Sequence, residues 1–180
     1  MDAIERLIKA AKEATSKPRG KLYALFVDFR TAFDSVDRCL LLQKLQHNYN
    51  VNPALLSLIS TLLHWNTIRF KHQQCQCGGY HGTISEIKQD LGVLQGDALS
   101  PFLFILFAND LILDVQNKCP TAKIQMYADD TIIYSESADG LKEAIAVLDK
   151  WCTENKLEVN VAKTKVLKFR RGGHLAKEDV

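Results

Sequence analysis

The sequence predicts an α+β domain, with helices packed on one face of a largely antiparallel sheet. Three observations predict it. Helical and strand-like segments mix without the strict alternation that builds a parallel sheet. Residues 22–27 (LYALFV) form a short continuous apolar run, the pattern of a strand buried on both faces. Two further apolar stretches flank Ala128-Asp129-Asp130, as strands flank a hairpin turn. A composition of 47% hydrophobic and 24% charged residues over 180 positions suits one globular domain and excludes a disordered chain.

The elements follow in order. Residues 2–16 carry Ile4, Leu7, Ile8 and Ala11 at helical spacing, and Pro18-Arg19-Gly20 ends that helix. The strand at 22–27 finishes on Asp28. Residues 37–47 and 53–63 read as helices separated by Asn50-Val51-Asn52-Pro53. Residues 66–72 and 82–88 read as two strands joined through Gly78-Gly79. A turn-rich stretch, 91–96, leads into an apolar helix over about 99–116, with Ser100-Pro101 at its start. Residues 122–135 form the hairpin, 138–155 an amphipathic helix and 165–170 a last strand; 172–180 is a polar tail.

Charge and cysteine usage narrow the classes. A net charge of +2 neither demands nor excludes a nucleic-acid partner. Lys163, Lys165, Lys168, Arg170 and Arg171 make one basic run with no acidic residue in it; it suits either a protected edge strand or phosphate contact. Five cysteines, an odd number, point to reduced intracellular thiols, with nucleus or cytoplasm left open. The charged start lacks a signal-peptide core, and the longest apolar run, 102–108, falls far short of the roughly 20 residues of a membrane span. A soluble protein with no membrane partner is expected.

Three places carry candidate chemistry. Asp28 ends a buried strand, where a carboxylate is costly unless capped, paired or metal-bound. Asp34 and Asp37 stand just before a helix and suit capping. Asp129 and Asp130 put two like charges in a hairpin turn without glycine; a hard divalent ion such as Mg²⁺ or Mn²⁺ makes that favourable. Gly92-Val93-Leu94-Gln95-Gly96 runs into a helix start and allows close backbone approach to a ligand, although a plain helix-start loop fits the same letters. His72, Cys75, Cys77 and His81 offer four possible zinc ligands within ten residues; their unusual spacing fits a solvated hairpin better.

Taken together these segments resemble the palm of reverse transcriptases, most closely those of non-LTR (LINE-type) retrotransposons. Phe26-Val27-Asp28-Phe29-Arg30-Thr31-Ala32-Phe33-Asp34-Ser35-Val36-Asp37 looks like the first palm motif. Gly92-Val93-Leu94-Gln95-Gly96-Asp97-Ala98-Leu99-Ser100-Pro101 looks like the second, with Ala98 where the family usually has proline. Tyr127-Ala128-Asp129-Asp130 looks like the third, and Leu157-Glu158-Val159-Asn160-Val161-Ala162-Lys163-Thr164-Lys165 the fourth. Four motifs in order cover about residues 20–170.

The resemblance implies a polymerase palm and RNA-templated DNA synthesis from an RNA template, a DNA primer and deoxynucleoside triphosphates. It implies that Asp28 and Asp129 bind two Mg²⁺ (or Mn²⁺) ions about 3.5–4 Å apart, with Asp130 supporting them. Phe33 takes the place of the family's sugar gate. Gln95 and Gly96 fall where the family lines its nucleotide and template pocket. Lys163 or Lys165 is the proton donor to pyrophosphate, and Lys168, Arg170 and Arg171 join the nucleic-acid contacts. Within residues 1–180 no fingers motif, primer grip, thumb or endonuclease is legible. The chain is therefore expected to be a partial reverse transcriptase domain, inactive alone and prone to self-association through surface that fingers and thumb would cover. The rival reading is a non-catalytic nucleic-acid-binding or interaction domain derived from a retroelement.

Overall fold

The computed structural model describes residues 3–64, 67–72, 83–88, 90–94 and 96–171. In chain order the elements are α1 (Ala3–Ser16), β1 (Lys21–Val27), α2 (Arg38–His47), α3 (Pro53–His64), β2 (Thr67–His72), β3 (Thr83–Lys88), α4 (Ser100–Lys118), β4 (Ala122–Tyr127), β5 (Asp130–Ser135), α5 (Ala138–Asn155) and β6 (Lys165–Arg170). Each expected element is present, with ends shifted by no more than two residues.

A wholly apolar strand needs neighbours on both edges and cover on both faces. β1 has them: it lies inside a four-stranded antiparallel sheet of order β4-β5-β1-β6, with Val27 opposite Thr131 of β5 and Phe26 opposite Lys165 of β6. β2 and β3 pair as a separate antiparallel ribbon. Leu25, Val27, Ile124 and Ile133 point to one face, where they meet the buried stripe of α4 (Leu103, Phe104, Phe107, Leu111, Val115) and Leu141, Ala144 and Leu148 of α5.

The sheet also has a helix on its other face. Leu22, Ala24 and Tyr134 turn that way and are covered by Leu7 and Ala14 of α1. The expectation of helices on one face therefore holds for α4 and α5, and α1 adds a second layer opposite them. The two-sided apolar pattern of β1 is the physical reason, because a bare apolar face would lie in water.

Behind the sheet, polar groups are matched in the core. Lys44 of α2 is 2.7 Å from Asp110, donates to the Phe107 carbonyl at 2.8 Å and lies over the Phe107 ring. Trp151 donates its indole N–H to Asp110 at 2.8 Å. Burial lowers the Lys44 pKa against the pull of Asp110. The thiols of Cys39, Cys119 and Cys152 are free, and burial pushes that of Cys152 up to about 12. Among the described residues no helix is long and apolar enough to cross a membrane. The zinc candidates Cys75, Cys77 and His81, the side chain of His72 and the tail 172–180 lie outside the described residues.

Candidate active site

Asp28 leaves the sheet at the end of β1, and the fourth motif holds its backbone from both directions. Its N–H donates to Thr164 Oγ1 at 3.2 Å, and its carbonyl accepts from the Asn160 N–H at 2.7 Å. Arg30 N–H donates to the Glu158 carbonyl at 2.8 Å, and the Arg30 guanidinium meets the Glu158 carboxylate at 2.9 Å. Asp129 is placed by a different device. Tyr127 pairs with Asp130, so Ala128 and Asp129 alone make the turn between β4 and β5. Ala128 adopts a left-handed φ of +54°. A two-residue hairpin requires positive φ, and alanine bears a cost of about 1–2 kcal/mol that glycine would avoid.

These two placements converge. Asp28 and Asp129 are half-buried and line one open cavity of about 690 Å³, together with Phe33, Arg30, Lys156 and Lys163. Asp129 and Phe33 also line an adjoining cavity with Leu94, Gly96, Ser100 and Pro101. Phe33 is wedged in place by the ring of Phe104, stacked at 4.9 Å. Arg30 and Lys156 already have acidic partners, Glu158 and Asp37. Among the described residues no ion pair or side-chain hydrogen bond engages the Asp28 and Asp129 carboxylates. Two half-buried carboxylates on one cavity, with no basic group bonded to them, are a donor set that fits a hard divalent cation.

Asp130 does not join them. It lines a separate cavity of about 560 Å³ on the α1 side, with Ile4, Phe26, Gln125 and Tyr127. Among the described residues no three His, Cys, Asp or Glu side chains converge on a metal position. Asp28 and Asp129 thus share one cavity, and Asp130 lines another. The reason is the period of a strand: Asp130 is the first residue of β5, and neighbouring residues there face opposite ways.

The second motif is seamed to the first. Gly92 N–H donates to the Val36 carbonyl at 2.9 Å and Val93 N–H to the Phe33 carbonyl at 2.8 Å. Gly92 has φ +79°, and a Cβ there would sit 2.6 Å from the Asp34 Cα. Its glycine is needed for close approach to the chain's own backbone, which accords with the plain-loop reading at this position rather than the ligand one. Gly96, at φ +87°, opens onto free space beside the second cavity. Gln95 lies outside the described residues.

A family model described as reverse transcriptase (RNA-dependent DNA polymerase) matches residues 2–174. The chain belongs to the reverse transcriptase family. Among reverse transcriptases it is similar to the RNA-directed DNA polymerase from mobile element jockey of Drosophila melanogaster, at 27% identity over 175 residues. That match covers 90% of this chain and 18% of the jockey protein, so the chain spans under a fifth of that relative's length. In shape it is similar to the apo telomerase of Candida tropicalis truncated from its C-terminal domain, with TM-score 0.73 and 15% identity, covering 95% of this chain and 36% of that one. A C. tropicalis telomerase in complex with a TWJ fragment of telomeric RNA matches with TM-score 0.69 and 13% identity, over 94% and 29% of the two chains. At such identities the likeness shows the shared α+β palm.

The basic residues of this reverse transcriptase domain divide by position. Lys163 lines the Asp28–Asp129 cavity, whereas the Lys165 ammonium is bound to the Ala162 carbonyl at 2.8 Å. Lys168 lies over the Tyr23 ring, Arg170 is half-buried and Arg171 is exposed. Two residues that the motifs did not single out also shape the site. Lys156 ends α5 in a left-handed conformation and reaches Asp37 at 2.7 Å; that pair, with the Leu40 N–H, holds the Asp37 carboxyl below its usual range. Arg38, only 4% exposed, donates to the Gly92 and Leu91 carbonyls. A signal for Arg38 exists in the sequence: a cation in the first turn of a helix opposes the helix dipole, so its reason must lie elsewhere.

Proposed function

We propose that this domain carries the nucleotidyl-transfer site of an RNA-templated DNA polymerase, acting on a primer 3′-hydroxyl and a deoxynucleoside triphosphate. The observation that carries the reading is the convergence of Asp28 and Asp129, from separate strand ends, on one cavity walled by Phe33. Asp28 and Asp129 would hold the divalent cations, and Asp130 would contribute only after a change of orientation. Bound there, Mg²⁺ or Mn²⁺ lowers the pKa of the attacking hydroxyl and neutralises the leaving pyrophosphate.

The protein's own contribution is positioning and charge. Phe33 sits where a ribose would pass, held by Phe104, and its ring leaves less room for a 2′-hydroxyl. Lys163 brings a proton donor to the cavity; Lys165 has its ammonium occupied and is the weaker candidate. Gln95 and Gly96 would serve the nucleotide, as the resemblance implies, and Arg170 and Arg171 would meet RNA template and DNA primer phosphates; the Lys168 ammonium, buried beside the Tyr23 ring, is the weaker candidate for that contact.

The test is primer extension on an RNA template by the complete protein and by the 180-residue chain, with Asp129→Ala as control. The complete protein should extend and the control should not. Phe33→Val should admit ribonucleotides while retaining deoxynucleotide use. The isolated chain should extend poorly, because so open a cavity leaves substrates loosely positioned, and it should self-associate through exposed Leu55, Leu58, Leu62 and Phe102. Absence of extension by the complete protein would overturn the reading in favour of a non-catalytic binding domain, and extension by the Asp129→Ala protein at the parent's rate would overturn the role given to Asp129.

A further inference from the structure

We infer that Arg38 is a positioning residue for the nucleotide pocket, clamping the second motif against the first and so fixing the wall that Phe33 and Leu94 present. The inference rests on the nucleotidyl-transfer reading. Its geometry stands independently of that reading.

A buried guanidinium is costly unless its N–H groups find acceptors. At the first position of α2 it also opposes the helix dipole. An apolar side chain would anchor this helix at less cost. What arginine adds is a fork: Nε donates to the Gly92 carbonyl at 2.8 Å and Nη2 to the Leu91 carbonyl at 3.1 Å. The same two turns are joined in the opposite sense by the Gly92 and Val93 N–H groups, which donate to Val36 and Phe33. Gly92 packs so closely on Asp34 that no Cβ fits. The seam is therefore tight and cross-bonded from both sides. Both of its edges run into the site, because Phe33 and Leu94 line one cavity with Asp129. Immediately before Arg38, Asp37 takes the Lys156 ammonium, and Lys156 lines the cavity of Asp28. Residues 37 and 38 thus tie the first motif both to the second motif and to the end of α5. Burial lowers the pKa of Arg38, in keeping with a group held for its hydrogen bonds.

The experiment compares Arg38→Lys and Gly92→Ala with the parent in the complete protein. Lysine keeps the charge and loses the fork; alanine pushes the seam apart from its other edge. Four quantities are read: KM for deoxynucleotide, kcat, the ratio of ribo- to deoxynucleotide use, and hydrogen exchange at the backbone amides of positions 92 and 93. Arg38→Lys should raise KM about 10-fold, the scale of one lost charge-assisted hydrogen bond, while kcat stays within about 3-fold. It should also weaken sugar discrimination and speed exchange at both amides, and Gly92→Ala should move the same quantities the same way. Parental KM and sugar ratio in both variants, with only a lowered melting temperature, would overturn the inference and leave Arg38 a buried ion of the core. If the parent does not extend a primer, exchange decides the clamp. Unchanged protection in Arg38→Lys overturns the clamp; faster exchange supports it, and the silent parent then overturns the polymerase reading alone.

Discussion

The two faces of the central sheet are covered to different depths. On the side of α4 and α5 the core is thick, with Phe104, Phe107, Leu111 and Ile133 inaccessible to solvent. On the other side one helix, α1, buries little more than Leu7, Ala14, Leu22, Ala24 and Tyr134, and its own Ile4 and Ile8 remain exposed. The site follows the same division. Phe33, which walls the Asp28–Asp129 cavity, stacks on Phe104 of the thick core. Asp130 and the 76%-exposed Tyr127 belong to the thin side. The denser packing thus lies behind the Asp28–Asp129 cavity, and the sparser packing lies on the side of Asp130.

The sharpest way to break this comparison is through the neighbouring aspartates. In the complete protein, Asp129→Ala should cut primer extension about 1000-fold, and Asp130→Ala should cost measurably less; equal losses in steady-state rate would mean that both carboxylates serve one site. The next effect is on stability. Phe104→Ala should cost about 3–5 kcal/mol and Leu7→Ala about 2 kcal/mol in urea unfolding, since the thinner face can collapse around a cavity. A larger loss at Leu7 would reverse the ranking of the faces.

Asp37→Asn keeps a helix cap but removes the pairing with Lys156, for an expected loss of about 1 kcal/mol or less. Because the folded pKa of Asp37 is depressed, its contribution is present above the ordinary value of 3.8 and is lost as pH falls through the lower folded value. The variant should lack that component of the acid limb, which unfolding curves between neutral and strongly acidic pH will read. On the thin side the pair of Lys17 with Glu136, at 2.6 Å, is exposed at both ends. Lys17→Ala should change stability by about 0.5 kcal/mol or less, with salt removing the remainder.

Local pattern made the elements legible. The apolar run into Asp28, the turn at Ala128-Asp129 and the basic strand 165–170 all stand in the sequence much as they stand in the fold. The orientation of Asp130 was harder to read, because the motif pairs it with Asp129 while strand geometry turns it away. The second layer made by α1 was implied by a strand apolar on both faces, yet nothing in residues 2–16 names the face they cover. Lys156 and the Lys44–Asp110–Trp151 group were not legible, and for Arg38 the sequence marks an ill-placed cation without naming its acceptors. Their partners are distant in sequence, and a long-range hydrogen bond leaves no periodic mark.

The strand order carries a consequence for how the chain is made. β1 emerges from the ribosome before β5 and β6 and has no sheet neighbour until they have followed, and the bonds that fix Asp28 come from Asn160 and Thr164. Such distant pairing is slow, because loop closure must precede its reward. The geometry of the candidate site is therefore among the last features to form during synthesis, and a chain released before Thr164 would carry the Asp28 and Asp129 motifs without the bonds that fix Asp28.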